Sequence, residues 1–165
     1  MEAGERMTSD GNSRVEVDAA ALIPGSRAML AIIARSLAPV QDQVTVPQFR
    51  ILVLLAESAS AMRSGDLAGA LGVHPSTLVR MADRMVARGF IRRAENPANR
   101  RETLIHLEPS GRAIVRLVTR TRERDLRRII SRMSAGERAM LVAAMNAFAR
   151  SATELEGSDL SAFGM

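Results

Sequence analysis

Residues 75–89 read PSTLVRMADRMVARG and place arginines at 80, 84 and 88. As an α-helix turning about 100° per residue, this stretch splits into two faces. With Arg80 at zero, Ser76, Thr77, Arg84 and Arg88 fall within about 80° of it, while Leu78, Met81, Ala82 and Met85 lie near 100–200°. One stripe is apolar and faces a core. The other carries two small hydroxyls in its first turn with cations behind them. Like charges four residues apart repel, and Asp83 offsets only part of that, so the row asks for an anionic partner. The blander alternative is a solvated helix face.

The preceding residues decide between the two. In SGDLAGALGVHPSTLVRMAD, residues 64–83, Leu67, Leu71, Val73, Leu78 and Met81 are apolar, Ala68 is small and Gly72 sits between two helical stretches. Two helices joined at a steep angle need a small residue at the approach, a glycine at the turn and an apolar wedge. This is a helix-turn-helix pattern, and such a motif presents the N-terminal residues of its second helix to base edges in the DNA major groove. Ser76, Thr77 and Arg80 are placed to reach bases or nearby phosphates. Arg84 and Arg88 lie deeper, toward backbone phosphate or solvent. His74 stands at the helix entry, as a start residue or a phosphate contact.

After Gly89 the character changes. Two short extended runs flank the turn-rich ENPAN, which reads as a β-hairpin. Arg92, Arg93, Arg100 and Arg101 surround it, with Asn99 at the turn. A basic hairpin directly after a recognition helix is a wing, whose tip can enter the adjacent minor groove, where arginine meets concentrated negative potential. From Arg80 to Arg101 there are seven arginines against two acids, Asp83 and Glu95.

Composition agrees. The chain has 165 residues and a net charge of +5, enough for one core and biased toward anionic partners. All 23 basic residues are arginine. A GC-rich coding sequence explains arginine over lysine but not where the arginines sit. Cysteine is absent, which excludes disulfides, thiolate metal sites and thiol redox switching. Trp and Tyr are absent too, against a stacking platform for single strands. Two histidines, His74 and His106, have no metal-binding spacing, so neither a metal nor a cofactor is expected. No nucleophile–base pair or phosphate-binding glycine loop marks an enzyme. No apolar run approaches a membrane span, the longest being residues 51–56, and the N-terminus lacks a signal-peptide core. A cytoplasmic protein without membrane partners is expected.

The elements that position these residues follow from local signals. Residues 1–16 are polar and read as a disordered tail. Residues 17–44 give a helix, interrupted or bent near Pro24-Gly25, and a connector. Thr45 N-caps an all-round apolar helix with Pro47 in its first turn. The winged helix-turn-helix spans residues 45–108. Residues 109–156 hold two helices, the second opened by the capping box Ser134-Ala-Gly-Glu137, and residues 157–165 form a tail. The fold class is mainly α with a small β-hairpin wing: a winged helix-turn-helix plus a helical dimerisation region. Leu22, Ile23, Leu30 and Ile33 on the first helix, and Met140, Leu141, Met145 and Phe148 on the last, form apolar stripes outside the winged core. A symmetric homodimer would cover them. The arginine-rich RTRERDLRRIISR, residues 120–132, reads as a solvated, ion-paired face, and Arg27 and Arg35 read as surface-exposed, with an acidic ligand at the hinge between DNA-binding and dimer regions as the alternative. The ten methionines read as core filler.

Taken together, VTVPQFRILVLL, LAGALGVHPSTLVRMADRMVARGFIRR and NPANRRETLIHLEPSGR resemble the MarR family of bacterial transcriptional regulators over about residues 44–116. The resemblance implies a homodimer whose terminal helices intertwine and whose two winged domains grip a near-palindromic double-stranded DNA operator. It implies repression, and release by a small lipophilic or phenolic ligand. One departure stands out. Family wings commonly read Asp-Pro-x-Asp-x-Arg, whereas Asn96 and Asn99 occupy the acidic positions here, which opens the question of how Arg101 is seated. Two other readings of the residues stay open: a non-allosteric architectural protein for double-stranded DNA, and a helical protein-interaction module.

Overall fold

The computed structural model describes residues 3–58 and 60–156, with side chains over 14–58 and 60–152. The elements are α1 (Ala3–Leu37), a single 3-10 turn (Ala38–Val40), α2 (Val46–Glu57), β1 (Met62–Arg63), α3 (Ser64–Leu71), α4 (Pro75–Ala87), β2 (Ile91–Asn96), β3 (Asn99–Leu107), α5 (Pro109–Ile130) and α6 (Ala135–Glu156). The fold is mainly helical, with one small antiparallel sheet ordered β1-β3-β2.

Local chemistry sets the boundaries. Thr45 Oγ1 accepts from the Gln48 N–H at 3.4 Å, and Gln48 Oε1 accepts from the Thr45 N–H at 2.9 Å. This capping box starts α2. Gly72 and Gly89 end α3 and α4 with φ of 65° and 69°, a left-handed conformation that favours glycine. At α6, the Ser134 N–H donates to Glu137 Oε2 at 2.7 Å and the Glu137 N–H donates to Ser134 Oγ at 3.3 Å. The Ser134 side-chain and backbone bonds hold the Glu137 carboxyl below its ordinary pKa.

Helix α2 is the hub. Ile51 and Leu52 are wholly buried, and Leu67, Leu78, Met85, Ile91 and Ile105 close around them from α3, α4, β2 and β3. Ile114 and Val118 of α5 complete the core. β3 pairs with β2 in the register Ile91↔Leu107 and Arg93↔Ile105, and with β1 as Met62↔Ile105. Strand β1, two residues long, is absent from the sequence reading because two residues carry no periodicity.

Three other expectations change. Helix α1 begins at Ala3, not near Asp18, so the segment read as a disordered tail is helical from Ala3. Extending an existing helix costs far less than nucleating one, and polar residues suffice for it. The helix also runs through Pro24 without ending. The carbonyl of residue 20 loses its usual donor there, but Ala20 is exposed and water can serve it. Finally, Arg14–Val40 is long and apolar enough to cross a membrane, with a mean hydropathy of 1.5, where no such segment was expected. Its C-terminal half is nonetheless fastened to α5. Ile32 and Ser36 are buried, Arg35 Nε donates to Asp125 Oδ2 at 3.2 Å, and Arg122 donates to Ser36 Oγ at 3.4 Å.

The upstream part of α1 and most of α6 are uncovered. Leu22, Ile23, Leu30, Met140, Leu141, Met145 and Phe148 are all exposed, and Ile33 is half-buried. The tail at 157–165 lies outside the described residues.

Gly111 shows how tightly α5 sits. A Cβ there would press on the Phe90 carbonyl oxygen and come within 2.8 Å of Leu107 Cδ1. Backbone cannot move aside as a flexible side chain can. Gly111→Ala is expected to destabilise the fold by about 1–3 kcal/mol through overpacking. Urea unfolding of the two proteins checks this, and equal midpoints would disprove the tight approach.

Candidate nucleic-acid interface

The α3–α4 corner is built by Gly72. Its N–H donates to the Gly69 carbonyl at 3.0 Å, and the Val73 N–H donates to the Ala68 carbonyl at 3.1 Å. The chain then enters α4 through His74. The ring Nδ1 accepts from the Ser76 N–H at 3.3 Å and lies 2.8 Å from Ser76 Oγ. His74 is therefore the N-cap of α4. Its ring is exposed beside the first turn, where Ser76 is exposed and Thr77 half-buried.

The arginines divide into two groups. Arg93 Nη1 donates to Asp83 Oδ1 at 2.5 Å and its Nη2 donates to the Val79 carbonyl at 2.9 Å. It locks strand β2 onto α4. Arg92 pairs with Glu108 at 3.0 Å. Arg88 donates to the Gln43 and Asp42 carbonyls, tying the end of α4 to the connector before α2. These three were expected to face DNA, and each has a protein partner within the chain. The reason is spatial. Packing of α4, the connector before α2 and the start of α5 brings acceptors beside them that are 10 or more positions away in sequence. Among the described residues, the guanidinium groups of Arg80, Arg84, Arg100 and Arg101 have no such partner, and all four residues are exposed.

The wing turn is held by its asparagines. Asn96 Oδ1 accepts from the Ala98 N–H at 3.1 Å, and Asn99 Oδ1 accepts from the Arg101 N–H at 3.2 Å. Asparagine thus does the turn-forming work of the acids in the family motif. Asn96 Nδ2 also donates to Glu102 Oε2 at 2.8 Å, and Glu102 pairs with Arg63 at 3.4 Å. From sequence, Asp83 read only as a partial offset to the arginine row and Asn96 only as a departure in the wing, and neither was linked to Arg93, Arg63 or Glu102. The only available signal for Asp83 was its isolation as an acid among arginines.

Elsewhere, Arg35 pairs with Asp125 and Arg127 with Glu123, as an ion-paired face requires. Among the described residues no group of three or more His, Asp or Glu could hold a metal.

A corner of two short helices, the second with a hydroxyl-bearing first turn and exposed cations, followed by a basic hairpin, defines a winged helix-turn-helix protein. The comparisons agree. The MarR family model matches residues 44–103. The HTH-type transcriptional regulator YsmB of Bacillus subtilis is 37% identical over 87 residues, covering 53% of this chain and 59% of its own length. The multiple antibiotic resistance protein MarR of Salmonella typhimurium is 35% identical over 71 residues, covering 43% of this chain and 49% of its own length. The chain thus spans about half the length of these curated relatives. The crystal structure of RV1404 from Mycobacterium tuberculosis superposes with a TM-score of 0.76 at 42% identity, covering 82% of this chain and 92% of that one. The chain belongs to the MarR family.

The division of the arginines can be tested without DNA. Arg88→Ala is expected to lower stability by about 1 kcal/mol, because two carbonyls lose a charged donor. Arg84→Ala should stay within about 0.5 kcal/mol of the parent, as a free surface residue does. Urea denaturation measures both, and the reverse order would refute the assignment.

Proposed function

We propose that the protein is a homodimeric transcriptional regulator, acting as a cytoplasmic repressor on a near-palindromic double-stranded DNA operator. The observation that carries the reading is the division of cations. Arg80, Arg84, Arg100 and Arg101 stand unpartnered among the described residues on the recognition helix and the wing, while neighbouring arginines are tied down. Ser76, Thr77 and Arg80 read bases in the major groove. Arg84 holds backbone phosphate. Asn99, Arg100 and Arg101 bring the wing to the minor groove. Membership of the MarR family and the name of the relative YsmB support the regulatory part.

The dimer follows from the uncovered apolar positions on α1 and α6. Leu22, Ile23, Leu30, Met140, Leu141, Met145 and Phe148 cannot all be reached by this chain's own core, and a second copy covers them isologously. Residues 17–44 and 109–156 are then the dimerisation region and residues 45–108 the DNA-binding domain. Half-sites lie about one helical turn, roughly 10 bp, apart. In sedimentation at micromolar concentration the protein should run as a dimer, and a folded monomer would remove this part of the reading.

A small lipophilic ligand seated between the dimer helices and the winged domain would change the spacing of the two recognition helices. A coupling of about 1–3 kcal/mol is typical of such effects. The DNA experiment starts from the gene's own upstream region, where an inverted repeat protected from nuclease identifies the operator. On it, Arg80→Ala should cost about 1–3 kcal/mol per half-site and relax the preference at one base pair. Arg84→Ala should weaken operator and random DNA alike and reduce the salt slope by about one per half-site. Arg101→Ala should act chiefly on sites with narrow A·T-rich flanks. Equal loss of specific and random binding in Arg80→Ala would unseat it as a reader. Binding to all sequences alike would select an architectural protein, and operator affinity unmoved by phenolic, carboxylate and antibiotic compounds would remove the ligand.

A further inference from the structure

Glu102 lies on β3 and gathers residues from two other strands. Its Oε2 accepts from Asn96 Nδ2 at 2.8 Å, at the end of β2, and faces Arg63 Nε at 3.4 Å, at the end of β1. Arg63 in turn lies 3.9 Å from Asp66 in the first turn of α3. The β2–β3 ladder shifts register between Glu95 and Asn96, so backbone pairing is irregular where this group sits. Beyond it come Arg100 and Arg101, whose own side chains nothing in the chain holds among the described residues.

We infer that Glu102 is a positioning residue for the wing, fixing the tip to helix α3 through Asn96 and Arg63. The consequence for DNA rests on the proposed function; the positioning itself does not. The chemistry makes asparagine at 96 a requirement. Its Oδ1 accepts from the Ala98 N–H while its Nδ2 donates to the Glu102 carboxylate. An aspartate would keep the first bond, but it would replace the second with two carboxylates at hydrogen-bond distance and no donor between them. Replacing Asn96 by the acid common in family wings should therefore loosen this wing. Glu102→Gln should rescue it, since the Gln amide N–H donates to the carboxylate introduced by Asn96→Asp while its Oε1 can still accept from Arg63.

The test compares Asn96→Asp, Glu102→Ala and the double variant Asn96→Asp/Glu102→Gln with the parent, all as full chains. Amide hydrogen exchange without DNA reads the wing at Glu95, Arg101 and Thr103, and the helix-turn-helix core at Leu78 and Met85. Either single variant should speed the wing amides about three- to tenfold with the core amides unchanged, and the double variant should return them to near the parent rate. In parallel, affinity is measured for a short duplex of A-tracts and a G·C duplex of equal length. The single variants should lose the preference for the narrow groove about three- to tenfold, and the double variant should regain it. Wing exchange in Asn96→Asp at the parent rate overturns the inference. So does a double variant no better than the single, or acceleration of wing and core together in both single variants. If exchange behaves as expected while both duplexes weaken equally, the positioning role stands and the wing's proposed part in reading DNA falls.

Discussion

Ile51 and Leu52 have no accessible surface, and the other elements of the winged domain take their places by closing over them. Helix α2 is apolar nearly all round, so it cannot sit at a surface. It must be enclosed, and α3, β3 and α5 pack directly against it. Gly111 lets α5 reach Leu52 and the Phe90 backbone together. Once α2 is enclosed, the angle between α3 and α4 follows from the wedge of Leu67, Leu78 and Met85, and α4 is left with its opposite face in water. The exposed cations are placed by burial elsewhere.

That arrangement also decides which charges are available. A guanidinium beside a carbonyl or carboxylate at 2.5–3.0 Å makes a strong charged hydrogen bond. Arg93 has two such bonds, and Arg92 has an ion pair with Glu108 at 3.0 Å. They fasten the strand β2 at two points, to α4 and to the entrance of α5. Wing and recognition helix are thereby joined by side chains as well as by the short link at Gly89. Arg63, Glu102 and Asn96 add a third fastening at the outer half of the hairpin. The first ties the root of the wing to the recognition helix, the second ties it to the entrance of α5, and the third ties its outer half to the start of α3.

The features legible in the sequence are the local ones. Thr45 with Pro47, Ser134 with Glu137, and glycines at 72 and 89 act within a few residues of themselves, and the structure has each where its pattern places it. The amphipathic face of α4 was legible for the same reason, since helical period needs no tertiary knowledge. What escaped was the choice of partner across distance. Arg93 and Asp83 are ten residues apart, Arg88 and Gln43 forty-five, and Arg63 and Glu102 thirty-nine. No spacing rule links such pairs. An arginine reads alike in sequence whether it will face solvent or a carbonyl. Helix α1 escaped differently: polar composition at 3–16 says little about whether a helix already formed downstream will be extended.

On the proposed DNA surface, holding arginines back has a thermodynamic effect beyond rigidity. Each phosphate neutralised releases counterions whatever the base sequence, so every free cation strengthens binding to random DNA as much as to an operator. Were all seven arginines between positions 80 and 101 available in both protomers, about fourteen phosphates would be engaged and the salt slope would approach about −13. If only the four unpartnered arginines of each protomer in the proposed dimer acted on DNA, the slope would be no steeper than about −7, and shallower by whatever share Arg80 spends on a base rather than a phosphate. On the proposed function, tying guanidinium groups to the protein would hold them from phosphate and so temper sequence-independent attraction, while the same bonds fix β2 against α4. Discrimination is the difference between operator and random affinity. It would gain on both sides if the background is weaker and the remaining contacts come from a helix and a wing that are fastened to each other.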